Sequence, residues 1–146
     1  MTPKEAEAKI RECITELEEK VPTLVLSFGT DLSVRVKKRI VLRGEGKEGK
    51  FPAYTKQYAA YKKAKGKESE FRNLSFTDSM MTNYGAFKEG NQYKIGFDSK
   101  KELEKAEWNT KSAKVTNIVE PSQEEIDKGI EIFEKQILNI LKKYLV

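Results

Sequence analysis

The C-terminal run PSQEEIDKGIEIFEKQILNILKKYLV places an apolar residue every three or four positions: Ile126, Ile130, Phe133, Ile137, Leu141 and Leu145. A helix turns once in 3.6 residues, so this spacing gathers all of them on one stripe. A stripe of that length must be covered, and it commits the chain to a long amphipathic helix packed on a partner. Ser122 with Glu125 three residues later forms a capping box that starts the helix just after Pro121.

The N-terminus carries the same signals. Thr2, Pro3 and Glu5 read as a cap, a first helical residue and the closing member of a capping box. Ile10, Ile14, Leu17 and Val21 continue at helical spacing, and Pro22 is expected to end or redirect the helix. The next run, TLVLSFGTDLSVRVKKRIVLRG, fits two periods. Leu32, Val34 and Val36 alternate as in a strand, whereas Val25, Phe28, Leu32, Val36 and Ile40 fit one helical face. The longer match is helical, and Gly44 supplies its stop.

Beyond the loop GEGKEGK, a short helix is expected with Tyr54, Tyr58 and Tyr61 at i, i+4 and i+7 and lysines between them. Three tyrosines on one face are expected to pack on a sheet, with base stacking as the less favoured reading. Leu74 and Phe76 alternate into the KEGNQ turn, and Tyr93, Ile95 and Phe97 alternate after it, which reads as an antiparallel hairpin. A helical piece over 100–109 is expected to pack Leu103, Ala106 and Trp108, and KVTNIVE reads as extended. The order of elements predicts one α+β domain over 1–146, with a small antiparallel sheet packed by N-terminal, middle and long C-terminal helices.

The composition narrows function more than fold. There is no histidine and a single cysteine, Cys13. The usual general base near neutral pH is therefore missing, as are Cys/His zinc sites. The aspartates, Asp31, Asp78, Asp98 and Asp127, are scattered, and Asp78 beside Thr77 and Ser79 has no base to activate a hydroxyl. The reading is a non-enzymatic protein without metal or cofactor. No apolar run reaches the length of a membrane span, and MTPKEAEAKI does not read as a secretory signal. Folding in a reducing cytoplasm is expected.

Two patterns in the glycine loop imitate phosphate sites. Gly44, Gly46 and Gly49 spell G-x-G-x-x-G, and Gly44 to Lys50 spells G-x-x-x-x-G-K. Phe51 stands where a phosphate loop needs a Ser or Thr, and Glu45 and Glu48 would repel the phosphates. A surface turn is the expected role.

The net charge is +5, and the excess is concentrated. Between Arg35 and Lys67 twelve cations face only Glu45 and Glu48. Lys37, Lys38, Arg39, Arg43, Lys62 and Lys63 are the candidates for meeting a polyanion or an acidic protein surface. Glu16, Glu18 and Glu19 of an adjacent copy are a candidate source of that acidic surface.

Taken together, RVKKRIVLRGEGKEGKFPAYTKQYAAYKKAKGK, NLSFTDSMMTNY, YKIGFDS and the helix after PSQEEI resemble, in order and spacing, the tailed-phage virion morphogenesis proteins, also called tail-completion or head–tail joining proteins. Arg39-Ile40, Gly44 to Gly49, Tyr54 to Gly66, Leu74 to Met81, Lys94 to Phe97 and Ser122 to Leu145 fill the corresponding places, with Asp78 where the family usually has glycine. The resemblance implies a structural virion protein, assembled in the host cytoplasm. It implies a homo-oligomeric ring at the neck or tail end, next to portal-adaptor or tail-tube proteins, with DNA passing through the lumen. The alternative is a small basic nucleic-acid-binding protein using 35–67.

Overall fold

The computed structural model describes residues 1–72, 79–113 and 119–145. Its element order is α1 (Pro3–Arg43), β1 (Glu45–Gly46), β2 (Gly49–Lys50), α2 (Lys56–Ala64), α3 (Ser79–Asn83), β3 (Tyr84–Glu89), β4 (Gln92–Phe97), α4 (Lys100–Ala113) and α5 (Gln123–Leu145). Helices of the N-terminal, middle and C-terminal segments surround two small antiparallel sheets of two strands each. The fold is α+β, as the patterning predicts.

The most visible departure is at Pro22. Instead of two helices, one helix of 41 residues runs from Pro3 to Arg43 with Pro22 inside it. At 1.5 Å per residue it is about 60 Å long. Proline cannot donate to the carbonyl of Glu18, so one backbone hydrogen bond is forgone. Both Glu18 and Pro22 are exposed, so that carbonyl lies on the wet side of the helix. On either side of the proline, packing against α5 holds the axis, and tertiary contact overrides local propensity.

Both helix starts follow the sequence. The Glu5 amide donates to Thr2 Oγ1 at 3.2 Å, and the Thr2 amide donates to Glu5 Oε2 at 2.7 Å. Ser122 and Glu125 repeat the exchange at 3.2 and 2.8 Å. At the far end of α1, Gly44 takes φ 60°, ψ 38°, and its amide donates to the Ile40 carbonyl. A Cβ there would lie 2.5 Å from the Phe71 ring and 2.7 Å from the Arg72 carbonyl, so glycine is required twice over.

Helix α5 lies antiparallel on α1. Arg39 meets Glu125, Phe28 meets Phe133, and Glu16 meets Lys143. The two phenyl rings approach edge to face at 6.3 Å and 70°. The stripe is only partly enclosed. Phe133, Ile137 and Leu141 are half-buried and Ile140 is buried, while Ile130 and Leu145 remain exposed.

The enclosed core sits where the C-terminal half of α1 meets β3, β4, α3 and α4. It comprises Val36, Ile40, Phe51, Met80, Met81, Tyr84 and Ala106. In the hairpin Tyr84 stands directly opposite Phe97, with ring centroids 5.3 Å apart. The Tyr84 hydroxyl donates to the Val119 carbonyl at 2.9 Å, tying the hairpin to the chain that leads into α5. Gly29 lets the hairpin approach α1 closely, since a Cβ there would lie 3.0 Å from Ala86 Cβ.

Other expectations need correction. The strand before the KEGNQ turn is Tyr84–Glu89, preceded by the helical turn Ser79–Asn83; Leu74, Phe76, Thr77 and Asp78 lie outside the described residues. Most of KVTNIVE also lies outside them. Helix α4 extends to Ala113 and buries only Ala106 of the three residues expected inside. Leu103 and Trp108 are exposed, Trp108 at 65%, because the neighbouring elements cover only the Glu102–Ala106 side.

Candidate functional site: the basic region

The loop GEGKEGK is a miniature hairpin. Glu45 pairs with Lys50 and Gly46 with Gly49, and the Phe51 amide donates to the Gly44 carbonyl at 2.9 Å. Gly49 adopts φ 120°, which favours glycine. This hairpin follows the C-terminus of α1, the negative end of the helix dipole. A phosphate cradle needs the opposite setting, a loop opening onto a helix N-terminus.

Arg39 is the organising cation of this end. It is buried at 5% exposure. Its Nε donates to the Glu45 carbonyl at 3.0 Å and its Nη2 to the Glu120 carbonyl at 2.9 Å, while Nη1 pairs with Glu125. Burial lowers the guanidinium's hold on its proton, and the Glu125 carboxylate opposes that shift. One side chain thus ties α1 to β1 and to the start of α5.

Around it opens a groove of about 640 Å³, lined in part by Arg35, Lys38, Leu42, Arg43, Lys47 and Lys128. Most of these cations already have carboxylate partners. Arg35 pairs with Asp31 at 2.8 Å, Arg43 with Glu45 at 3.7 Å, Lys47 with Glu120 at 2.9 Å and Lys128 with Glu124 at 2.9 Å. Lys38 has no ion pair among the described residues and is exposed. Leu42, 68% exposed, adds an apolar lip.

The six cations picked from sequence therefore separate by role. Lys38, Arg39 and Arg43 line the groove together, and Lys37 on the same helix does not. Lys62 is fully buried, its Nζ 3.3 Å from the Tyr54 hydroxyl and 4.6 Å from that ring's centre. Lys63 is exposed on α2. Arg39 and Lys62 thus hold the fold, leaving Lys37, Lys38, Arg43 and Lys63 to face outward. Lys47 is one of the twelve cations of the stretch and lies four residues from Arg43, whereas Lys128 on α5 could not be grouped with them from sequence, being distant in the chain.

Among the described residues the tyrosines do not pack on a sheet. Tyr58 and Tyr61 are 40% and 49% exposed. Tyr54 and Tyr58 meet edge to face at 5.0 Å, and Tyr58 and Tyr61 follow at 6.1 Å with 32° between planes. Arg72 lies 5.2 Å from the Tyr54 centroid and Lys65 5.8 Å from that of Tyr61. Desolvation and the neighbouring phenols push the Tyr58 pKa up, so its hydroxyl stays neutral at physiological pH. The three rings thus pack on one another, while Lys62 on the same helix is fully buried.

A second feature concerns charge at the opposite end of α1. Glu16 accepts from Lys143 at 2.8 Å and also from Lys20 and Tyr144, which holds its pKa down to about 2. It is committed within its own chain, while Glu18 and Glu19 are exposed.

Among the described residues no group of three or more His, Cys, Asp or Glu is placed to hold a metal ion, and no helix is long and apolar enough to cross a membrane. No protein-family model matches the chain, and no curated protein or solved structure matches it at a significant level.

Proposed function

We propose that this chain is a structural subunit of a tailed-phage virion, assembling into a ring at the head–tail neck or tail end through which DNA passes. The observation that carries the reading is an uncovered apolar flank on α5. Ile130, Leu138 and Leu145 are all exposed there. Helical spacing puts them on one side, next to the stripe that packs on α1. Ile10 and Ile14, towards the start of α1, are each 49% exposed as well. Exposed apolar side chains gathered on one side of a helix, here with Glu134 between them, are the kind of surface that a protein–protein contact covers.

Charge supports a head-to-tail arrangement. Glu18 and Glu19 lie about 28 Å along α1 from Lys37 and Lys38, at 1.5 Å per residue. A contact between unlike surfaces of successive copies closes into a ring when the rotation allows. The order of segments resembling the head–tail joining proteins supplies the location.

Negative-stain electron microscopy of the purified protein tests the assembly. Closed rings are expected, and a folded Ile130→Asp/Leu138→Asp variant should not form them. Rings unaffected by that variant would place the contact elsewhere, and particles that never exceed the monomer, alone or with tail and portal partners, would remove the ring reading.

A further inference from the structure

The exposed tyrosines of α2 belong neither to the core nor to the apolar flank of α5. They sit in a stretch with a distinct charge: from Gly49 to Lys67 there is no carboxylate, while Lys50, Lys56, Lys62, Lys63, Lys65 and Lys67 supply six lysines. We propose that Tyr58 and Tyr61, backed by Tyr54 and flanked by Lys65, Lys67 and Arg72, form a platform that binds single-stranded nucleic acid by stacking its bases and pairing its phosphates.

Three observations lead there. First, the rings form a continuous row, with successive centroid separations of 5.0 and 6.1 Å. Stacking a base needs an aromatic surface that water can reach, and Tyr58 and Tyr61 expose theirs. Second, cations already sit against this row: Lys65 beside Tyr61, Arg72 beside Tyr54. Lys65 lies seven residues after Tyr58 and four after Tyr61, so it shares their side of the helix. A strand laid along the rings would find its phosphates next to these charges. Third, the row is held in place from beneath. Buried Lys62 contacts the Tyr54 hydroxyl, and Arg72 Nε donates to the Pro52 carbonyl at 3.0 Å, fixing the chain on both sides of the helix.

The groove beside Arg39 is the weaker candidate for a polyanion, because four of its cations are matched by Asp31, Glu45, Glu120 and Glu124. From Gly49 to Lys67 the segment that carries the tyrosines supplies no carboxylate, and Glu68 and Glu70 follow before Arg72. An acidic protein segment would satisfy the lysines but leave the rings unused, which is why nucleic acid is the better fit. Lys63 falls about half a turn away from Tyr58 and contributes less than Lys65. The platform does not rest on ring assembly, since a monomer can present it equally well.

Fluorescence anisotropy with labelled oligo-dT and with a duplex of equal length, titrated at several salt concentrations, tests the proposal. Binding of the single strand at low salt is expected, tighter than the duplex. Its salt dependence should be shallower in Lys65→Gln/Lys67→Gln by about 0.7 in log–log slope for each phosphate left without its lysine. Tyr58→Ala/Tyr61→Ala should weaken single-strand binding by about tenfold or more per ring, while Tyr58→Phe/Tyr61→Phe should retain it. Tyr61→Ala alone serves if circular dichroism shows the double variant to be unfolded. Absence of binding at low salt would overturn the platform. So would affinity unchanged by both alanine variants, a duplex bound as tightly as the strand, or equal competition by polyglutamate, which would assign the patch to an acidic protein.

Discussion

Arg39 and Glu125 form an ion pair buried between the two long helices, and Glu125 uses the same carboxylate to close the capping box of α5. One oxygen, Oε1, thus serves both tertiary packing and the helix start. Removing it leaves a guanidinium buried with only two carbonyl partners. Glu125→Ala is expected to lower stability by about 3–5 kcal/mol, the usual cost of stranding a buried charge. Glu125→Gln keeps an acceptor and should lose less. Urea denaturation gives both values, and a loss below about 1 kcal/mol for the alanine variant would show that the pair is dispensable.

Gly129 offers a test in which local and tertiary effects have opposite signs. In an open helix, Gly→Ala gains about 1 kcal/mol. Here a Cβ would lie 2.6 Å from Phe28 Cε2. Overpacking of this kind costs about 1–3 kcal/mol, so Gly129→Ala should be neutral to destabilising. Combining it with Phe28→Leu should recover part of the loss, and the double-mutant cycle reads that coupling directly. A clear gain in thermal stability for Gly129→Ala alone would mean that the helices do not approach this closely.

Tyr84→Phe removes only the hydroxyl that donates to Val119. The ring stays packed against Phe97, so the expected loss is about 1–2 kcal/mol. Burial also pushes the Tyr84 pKa well above that of an exposed phenol. Alkaline titration followed by tyrosinate absorbance should show one phenol that ionises only when the protein unfolds.

Glu16 sets an acid limit. Hydrogen bonds from Lys143, Lys20 and Tyr144 hold its pKa at about 2, below the ordinary 4.5. A carboxylate depressed in the folded state contributes stability that is complete above its unfolded pKa. That contribution is lost as pH falls from about 4.5 towards 2. Melting curves across this window should fall more steeply for the natural protein than for Glu16→Gln. Parallel curves would show that the cluster joining α1 to α5 is not formed in solution.

Much of this was legible from residues alone. The two capping boxes, the glycine stop at Gly44, the turn at Gly90 and the α+β composition follow from side-chain chemistry acting over three or four positions. The merging of two expected helices across Pro22 was not legible, because the gain comes from α5, more than a hundred residues away. Nor could spacing tell what the tyrosines face: Tyr54 precedes α2 rather than lying on it, and the spacing of Tyr58 and Tyr61 puts them on one side of the helix without saying whether anything covers it. The same holds for Ile130 and Leu145, where periodicity marks an apolar stripe wider than the partner that packs on it. In the basic stretch, sequence counted charges but could not see that Arg39 and Lys62 turn inward.

The central claim is that this chain is part of a virion, placed where head meets tail or at the tail end. Immunogold labelling of purified tailed particles, from the lysate in which this chain is made, tests it most directly. An antibody against the exposed N-terminal turns of α1 should label intact or partly disassembled particles at the neck or tail tip, at one position per particle. Particles without label at either place, with the chain recovered only in the soluble fraction, would contradict the account.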